Sequence, residues 1–217
     1  MVQNLKDLTT EINDEEDRPS LIASSVFKVP KNAKFGKDEL KKLNEILSSE
    51  KVILPGVGAF GDAMGKLKDY NLVQTIYDVV EKNTPFLGIC LGLQLLFERS
   101  DESPGVKGLS ILEGEIIRIP DEENLKIPHI GWNSLNYPNE GRLFQGITEE
   151  SYVYFVHSYY LNAKDKKIVK ATTEYGALIE ASVEKDNVFA CQFHPEKSSD
   201  VGLKILKNFV ELDGEVE

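Results

Sequence analysis

The stretch Thr84-Pro-Phe-Leu-Gly-Ile-Cys-Leu-Gly-Leu-Gln-Leu-Leu-Phe97 decides how this chain folds. Phe86 to Ile89 is a short apolar run behind Pro85, the pattern of a buried strand. Leu91 to Arg99 is rich in straight-chain helix formers, so a helix is expected almost at once. Between them, Gly88-Ile-Cys-Leu-Gly92 has the Gly-x-nucleophile-x-Gly spacing of a strand-to-helix elbow. Such a turn holds its central residue in a strained backbone conformation with the side chain projecting from the sheet. Glycines on either side remove Cβ atoms that would clash. A cysteine there faces the unpaired N–H groups and positive dipole end of a helix, which favour the reactive thiolate. A lone cysteine is most often a small core residue, but two glycines at the elbow spacing tip the reading of Cys90 towards chemistry.

Upstream of the elbow, Lys51-Val-Ile-Leu-Pro55 reads as a second buried strand and runs into Gly56-Val-Gly-Ala-Phe-Gly61. A glycine-rich turn at the C-terminal end of a buried strand is where an open α/β sheet binds ligands. It lacks a dinucleotide fingerprint and a following Lys-Ser/Thr, so its backbone N–H groups suit a small substrate or an oxyanion better than a nucleotide phosphate. Asp62 to Lys82 is helical in two pieces around Tyr70-Asn71. Further upstream, Lys37 to Ser49 has one apolar stripe at helical spacing, and Leu21 to Val29 reads as a strand ended by Pro30. Met1 to Ser20 is polar and acidic, which makes 1–20 a terminal segment and 21–217 a single domain. Downstream, Ser100 to Gly108 is a loop, and short strands are expected over 109–119, 129–135, 152–157, 167–172, 177–184 and 188–193. Ser199 to Leu212 closes the chain as an amphipathic helix. The fold class is therefore α/β, with a central, mainly parallel sheet flanked by helices and extended by antiparallel hairpins.

A net charge of −11 argues against nucleic acid and anionic membrane surfaces as partners. No run approaches the roughly 18 apolar residues that span a bilayer, and no signal-peptide pattern opens the chain, which makes the cytoplasm the expected setting. Two distant cysteines give no disulfide framework, and three histidines without metal-ligand spacing make a metal site unexpected.

A nucleophilic cysteine needs a base that takes its proton and later protonates a leaving amine, and imidazole does this near neutral pH. The base in turn needs a carboxylate to hold its tautomer. Phe189-Ala-Cys-Gln-Phe-His-Pro-Glu196 ends a strand with His194, fixed by Pro195, and offers Glu196 two residues on. Cys90, His194 and Glu196 fill the three roles. Cys191 sits inside the strand and reads as core, while His129 and His157 lie on candidate strands with no carboxylate close in sequence.

Pro55-Gly-Val-Gly58, Gly88-Ile-Cys-Leu-Gly-Leu-Gln94 and Phe193-His-Pro-Glu196, in this order, resemble the class I (triad) glutamine amidotransferases. Pro55-Gly-Val-Gly-Ala-Phe-Gly-Asp-Ala-Met64, Pro128-His-Ile-Gly-Trp-Asn133 and Phe155-Val-His-Ser-Tyr159 are similar to the glutaminase subunits of imidazole glycerol phosphate synthase, of histidine biosynthesis. The resemblance implies hydrolysis of L-glutamine to glutamate and ammonia through a thioester on Cys90, with no metal or organic cofactor. It implies an oxyanion site at the N–H groups of Val57 and Leu91. Gly56, Gly58, Gln94, Ser158 and Tyr159 would meet the substrate. Ammonia would pass to a (β/α)₈-barrel cyclase, with Trp132 and Asn133 at the interface.

The resemblance spans about residues 51 to 210. The family opens on a strand at its very N-terminus running into an Asp-Tyr-Gly-x-Gly-Asn turn; here Met1 to Ser20 is polar, and the strand at Leu21 runs into Val29-Pro-Lys-Asn instead. Three alternatives stay open: an amidotransferase of another pathway, such as the anthranilate or pyridoxal type; a cysteine hydrolase acting on peptides; and a catalytically idle binding subunit that keeps the fold.

Overall fold

The computed structural model describes residues 43–123 and 125–212. The segment 1–20, the strand expected over 21–29 and the start of the helix expected over 37–49 lie outside them. Residues 43–47 are helical, and Ile46 and Leu47 pack on the core.

Val52–Gly56 (β1) and Phe86–Cys90 (β2) pair in parallel, and Val188–Cys191 (β10) adds in parallel on the other side of β2. Leu178–Lys185 (β9) and Val169–Glu174 (β8) extend that sheet antiparallel, giving the order β1-β2-β10-β9-β8. The central strands are apolar on both faces because both are covered. Along β10, Val188 and Ala190 join one core cluster with Phe60, Met64, Ile76 and Val79. Phe189 and Cys191 join the other with Phe155, Phe193, Ile205 and Phe209. That alternation follows directly from the two-residue period of a strand. The first cluster is roofed by Phe60–Asp69 (α1) and Leu72–Glu81 (α2), the second by the closing helix Ser199–Val210 (α4).

The break between α1 and α2 falls at Tyr70-Asn71 as the sequence suggests, with Asn71 at φ 54°, a left-handed conformation that asparagine tolerates better than most residues. Helix α1 has no side-chain cap of its own. The N–H of Phe60 donates to Glu102 Oε2 at 2.7 Å and that of Gly61 to Ser103 Oγ at 3.0 Å, so a loop forty residues on satisfies the orphan donors.

Two expectations need correction, and one further strand is present. The helix after the elbow is Leu91–Leu95 (α3), not Leu91 to Arg99; the N–H of Leu96 turns back to the Leu93 carbonyl, and Arg99–Ser100 (β3) pairs as a strand instead. The strand expected over 109–119 is only Gly114–Arg118 (β4). Leu109, Ile111 and Leu112 spend their N–H groups on the carbonyls of Leu95 and Leu96, wrapping the end of α3 and burying Leu109 and Leu112 there. Tyr159–Ala163 (β7), which the sequence reading did not separate out, pairs antiparallel with β4 to make a three-stranded sheet.

His129–Ser134 (β5) and Tyr152–His157 (β6) form a two-stranded antiparallel sheet, and their register sets His129 opposite His157 and Trp132 opposite Tyr154. The N–H of His194 donates to the Tyr154 carbonyl at 2.9 Å, which holds this pair of strands against the end of β10. No helix among the described residues is long and apolar enough to cross a membrane.

Candidate active site

Every residue of β2 is buried, and Cys90 at its end takes φ 55°, ψ −111° before α3 begins. This is a conformation that L side chains rarely adopt, held here because the surrounding packing leaves no alternative. The glycines make that packing possible. A Cβ on Gly92 would fall inside the Leu54 carbonyl oxygen of β1, and one on Gly88 would lie 2.7 Å from the Gly92 carbonyl oxygen. With five residues, α3 has only a small macrodipole, so the elbow supplies little of the electrostatic help that a longer helix would give. Cys90 is 8% exposed, and its Sγ lies 4.0 Å from the Val156 carbonyl oxygen, which can accept the thiol proton.

His194 follows β10, and Pro195–Lys197 forms a single 3-10 turn that brings Glu196 back onto the imidazole. Nδ1 of His194 lies 2.7 Å from Glu196 Oε1, with both side chains at or below 10% exposure. Because the carboxylate can only accept, Nδ1 carries the proton in this bond and Nε2 is the nitrogen left to exchange one. Nε2 is buried without a hydrogen-bond partner of ordinary geometry, as is Glu196 Oε2. Burial alone would depress the imidazole, yet the neighbouring Cys90 sulfur and the Glu196 carboxylate outweigh it and push His194 up to about 9. The ring is thus set up to hold a proton beside the sulfur.

Gly56 stands opposite Cys90 in the β1–β2 register, so the loop from Gly56 leaves the sheet beside the sulfur. Val57 is 61% exposed at its tip, and Gly58 takes φ 100°, which keeps that position to glycine. Leu91 is the first residue of α3, where its N–H has no helical partner. Gln94 is buried, and its Nε2 donates to the Tyr159 carbonyl at 3.1 Å and to Gln192 Oε1 at 3.0 Å. Both amide hydrogens are committed, so only its Oε1, an acceptor, is left to offer a substrate. Ser158 and Tyr159 sit where β6 passes into β7; the Ser158 carbonyl accepts from Ile119 N–H at 3.0 Å.

The sequence reading left three residues here without a role. Gln192 is fully buried, and its Nε2 reaches Cys90 Sγ at 3.7 Å; the signal was a single carboxamide inside the apolar run Phe189-Ala-Cys-Gln-Phe193. His157 Nδ1 meets the Tyr159 carbonyl at 3.0 Å, and His129 Nδ1 meets His157 Nε2 at 3.1 Å. Since the carbonyl accepts, His157 donates from Nδ1 and accepts at Nε2 from His129. His129 is stacked between Tyr175 and Phe155. Burial depresses both rings, His129 to about 4 and His157 to about 3, so the pair is neutral at physiological pH. Cys191 is fully buried, and burial raises its thiol well above the ordinary range, as befits a core residue. Among the described residues no group of three or more His, Cys, Asp or Glu side chains could hold a metal ion.

Trp132 is 51% exposed, which rules out the core reading of that side chain, and it forms one outer face with Ile130 and Tyr152. Asn133 is half-buried and already engaged, donating from Nδ2 to the Glu174 carbonyl at 2.9 Å and so tying β5 to the end of β8.

The sequence profile described as glutamine amidotransferase class-I matches residues 25–212, reaching back before residue 51, where the resemblance in the motifs begins. A protein named imidazole glycerol phosphate synthase subunit HisH from Methanocaldococcus jannaschii is 53% identical over 168 residues, covering 77% of this chain and 83% of the relative. Subunits of the same name from Moorella thermoacetica and Aquifex aeolicus are 51% and 54% identical, covering 77% and 73% of this chain and 79% and 75% of the relatives. Among solved structures, one titled a glutamine amidotransferase aligns with TM-score 0.58 at 19% identity, covering 80% of this chain and 92% of that one. A Trypanosoma brucei CTPS glutaminase domain with bound acivicin aligns with TM-score 0.57 at 15% identity, covering 86% of this chain and 81% of that one. The fold agrees with both, and the identity to the HisH proteins is high over most of their length: this chain belongs to the class I glutamine amidotransferases, within the family of the HisH subunits.

Proposed function

We propose that this chain hydrolyses L-glutamine and delivers the ammonia to a (β/α)₈-barrel cyclase that makes imidazole glycerol phosphate, as one half of a cytoplasmic heterodimer. Cys90 Sγ attacks the side-chain amide carbon of glutamine, and the developing oxyanion is met by the N–H groups of Leu91 and Val57. His194 gives its Nε2 proton to the departing nitrogen as the carbon–nitrogen bond breaks, leaving a glutamyl thioester and ammonia. A water that His194 deprotonates then attacks the thioester, the carbon–sulfur bond breaks, and the sulfur leaves as thiolate with glutamate. Glu196 holds the ring through Nδ1 in both half-reactions. Gly56, Gly58, Ser158, Tyr159 and the Gln94 Oε1 form the substrate's surroundings. The exposed Ile130, Trp132 and Tyr152 supply the docking face for the cyclase, while Asn133, opposite Val153 on the other side of the strand pair, anchors β5 to the end of β8 behind it.

The observation that carries this reading is the buried His194–Glu196 pair at 2.7 Å, its imidazole raised by the sulfur of Cys90. The names of the HisH relatives support the substrate and the partner. The test is glutamate release from glutamine by the purified chain, alone and with a histidine-pathway cyclase carrying its nucleotide ligand. Turnover that requires Cys90 and rises with the cyclase is expected. A folded chain that releases no glutamate in either condition would overturn the assignment.

A further inference from the structure

The carboxamide of Gln192 has no freedom to turn over. A backbone carbonyl can only accept, so the end of Gln94 that faces the Tyr159 oxygen must be its amide nitrogen. The second hydrogen of that nitrogen goes to Gln192 Oε1, at 3.0 Å. Gln192 therefore presents its own NH₂ to Cys90 Sγ, at 3.7 Å, from a fully buried position. Its backbone is pinned as well, with the N–H donating to the Ala181 carbonyl at 2.8 Å. The Tyr159 carbonyl at the far end of this chain of bonds is held by His157 Nδ1.

We infer that Gln192 is a further catalytic residue of this site, a fixed amide donor to the Cys90 sulfur that favours the thiolate and aims it at the substrate carbon. The inference rests on Cys90 being the nucleophile. A further contact of the sulfur, the Val156 carbonyl oxygen, stabilises only the protonated thiol, because a thiolate has no hydrogen to give it. His194 also bonds the sulfur but hands its proton on during the reaction, whereas Gln192 is a side-chain donor that keeps its hydrogens and whose bond to the sulfur strengthens as the thiol proton leaves. The same donor favours the return of the sulfur as a leaving group when the thioester is hydrolysed. Gln94 acts as the positioning residue for this donor, so its place in the site extends beyond the substrate.

The test is the rate of Cys90 alkylation by iodoacetamide against pH, followed by mass spectrometry of the Cys90 peptide, in the full chain and in Gln192→Met. Methionine keeps the length and apolar bulk without the donor. The midpoint of alkylation is expected to rise by about one pH unit, and glutamine turnover at neutral pH to fall about tenfold. Gln192→Asn, one methylene too short to reach the sulfur, gives the same shift and serves if the methionine variant does not fold. Gln94→Met, which removes the anchor but not the donor, is expected to shift the midpoint by less. An unchanged midpoint in folded Gln192→Met or Gln192→Asn overturns the inference. Loss of glutamine turnover is a separate readout: a chain that never hydrolyses glutamine but whose midpoint shifts would refute the glutaminase assignment and leave the donor role standing.

Discussion

The elbow at Cys90 and the paired strands β5 and β6 lie side by side and are built on opposite terms. The elbow is tightly packed: β2 is wholly buried, α3 rests on β1 through a glycine, and Cys90 keeps a strained φ of 55° between them. Strands β5 and β6 have two faces. The inner one carries His129, Val153, Phe155 and His157, buried among rings; the outer one leaves Ile130, Trp132 and Tyr152 more than half exposed. On the proposed reading the difference has a use: a catalytic atom has to be fixed by packing, whereas a docking face has to stay open until its partner arrives. The two are joined by a few bonds: His194 N–H to the Tyr154 carbonyl, and the His129–His157–Tyr159 relay that ends at Gln94.

If that contrast is right, the largest effect will come from filling the elbow. Gly92→Ala forces a methyl into the Leu54 carbonyl and is expected to cost more than about 3 kcal/mol in urea unfolding, or to prevent folding. A mild loss, under about 1 kcal/mol, would mean that β1 and α3 can part easily.

Next comes acid. The unfolded chain protonates His129 and His157 near their ordinary value, while the folded chain resists down to about 4 and 3. Stability is therefore complete above the ordinary histidine range and falls by several kcal/mol for the pair as pH drops from about 6.5 through 4 towards 3. His129→Phe should flatten that acid limb in urea titrations at several pH values; an unchanged limb would place the acid sensitivity elsewhere.

His194 has the opposite sign. Its folded value is raised to about 9, so the stability it lends is present below about 6.5 and is lost as pH rises through 9. His194→Gln should destabilise the protein by on the order of 3 kcal/mol more at pH 6 than at pH 9.5.

The smallest effect on stability belongs to the outer face. Trp132→Ala should change unfolding by less than about 0.5 kcal/mol, since the ring is half exposed. The same change should remove most of the cyclase-stimulated glutamate release. A variant that instead unfolds would show that the ring supports β5 and β6 through its edge contact with Tyr154.

The elbow was legible in the sequence because its chemistry is local: Gly88, Cys90 and Gly92 lie within five residues, and their spacing encodes the turn. His194 and Glu196 were legible for the same reason, as was the break at Asn71. What escaped was set by distant partners. The helix after Cys90 stops at Leu95 because the backbone of Leu109, Ile111 and Leu112 claims its last carbonyls, which no propensity in Leu91 to Arg99 reveals. Strand β7 exists because β4 pairs with it. His129 and His157 had no neighbouring carboxylate, and each found the other through strand register, twenty-eight positions away. Gln192 looked like one polar residue in a strand until the fold put a sulfur at its tip.

The central claim is that Cys90, served by His194, is the nucleophile towards glutamine. The most direct test is covalent labelling by an electrophilic glutamine analogue, such as a diazoketone, read by mass spectrometry without need of a partner. The account predicts a single adduct on the Cys90 peptide, slowed by added glutamine and lost in His194→Gln. An adduct on Cys191, or labelling of Cys90 that neither glutamine nor His194 affects, would contradict it.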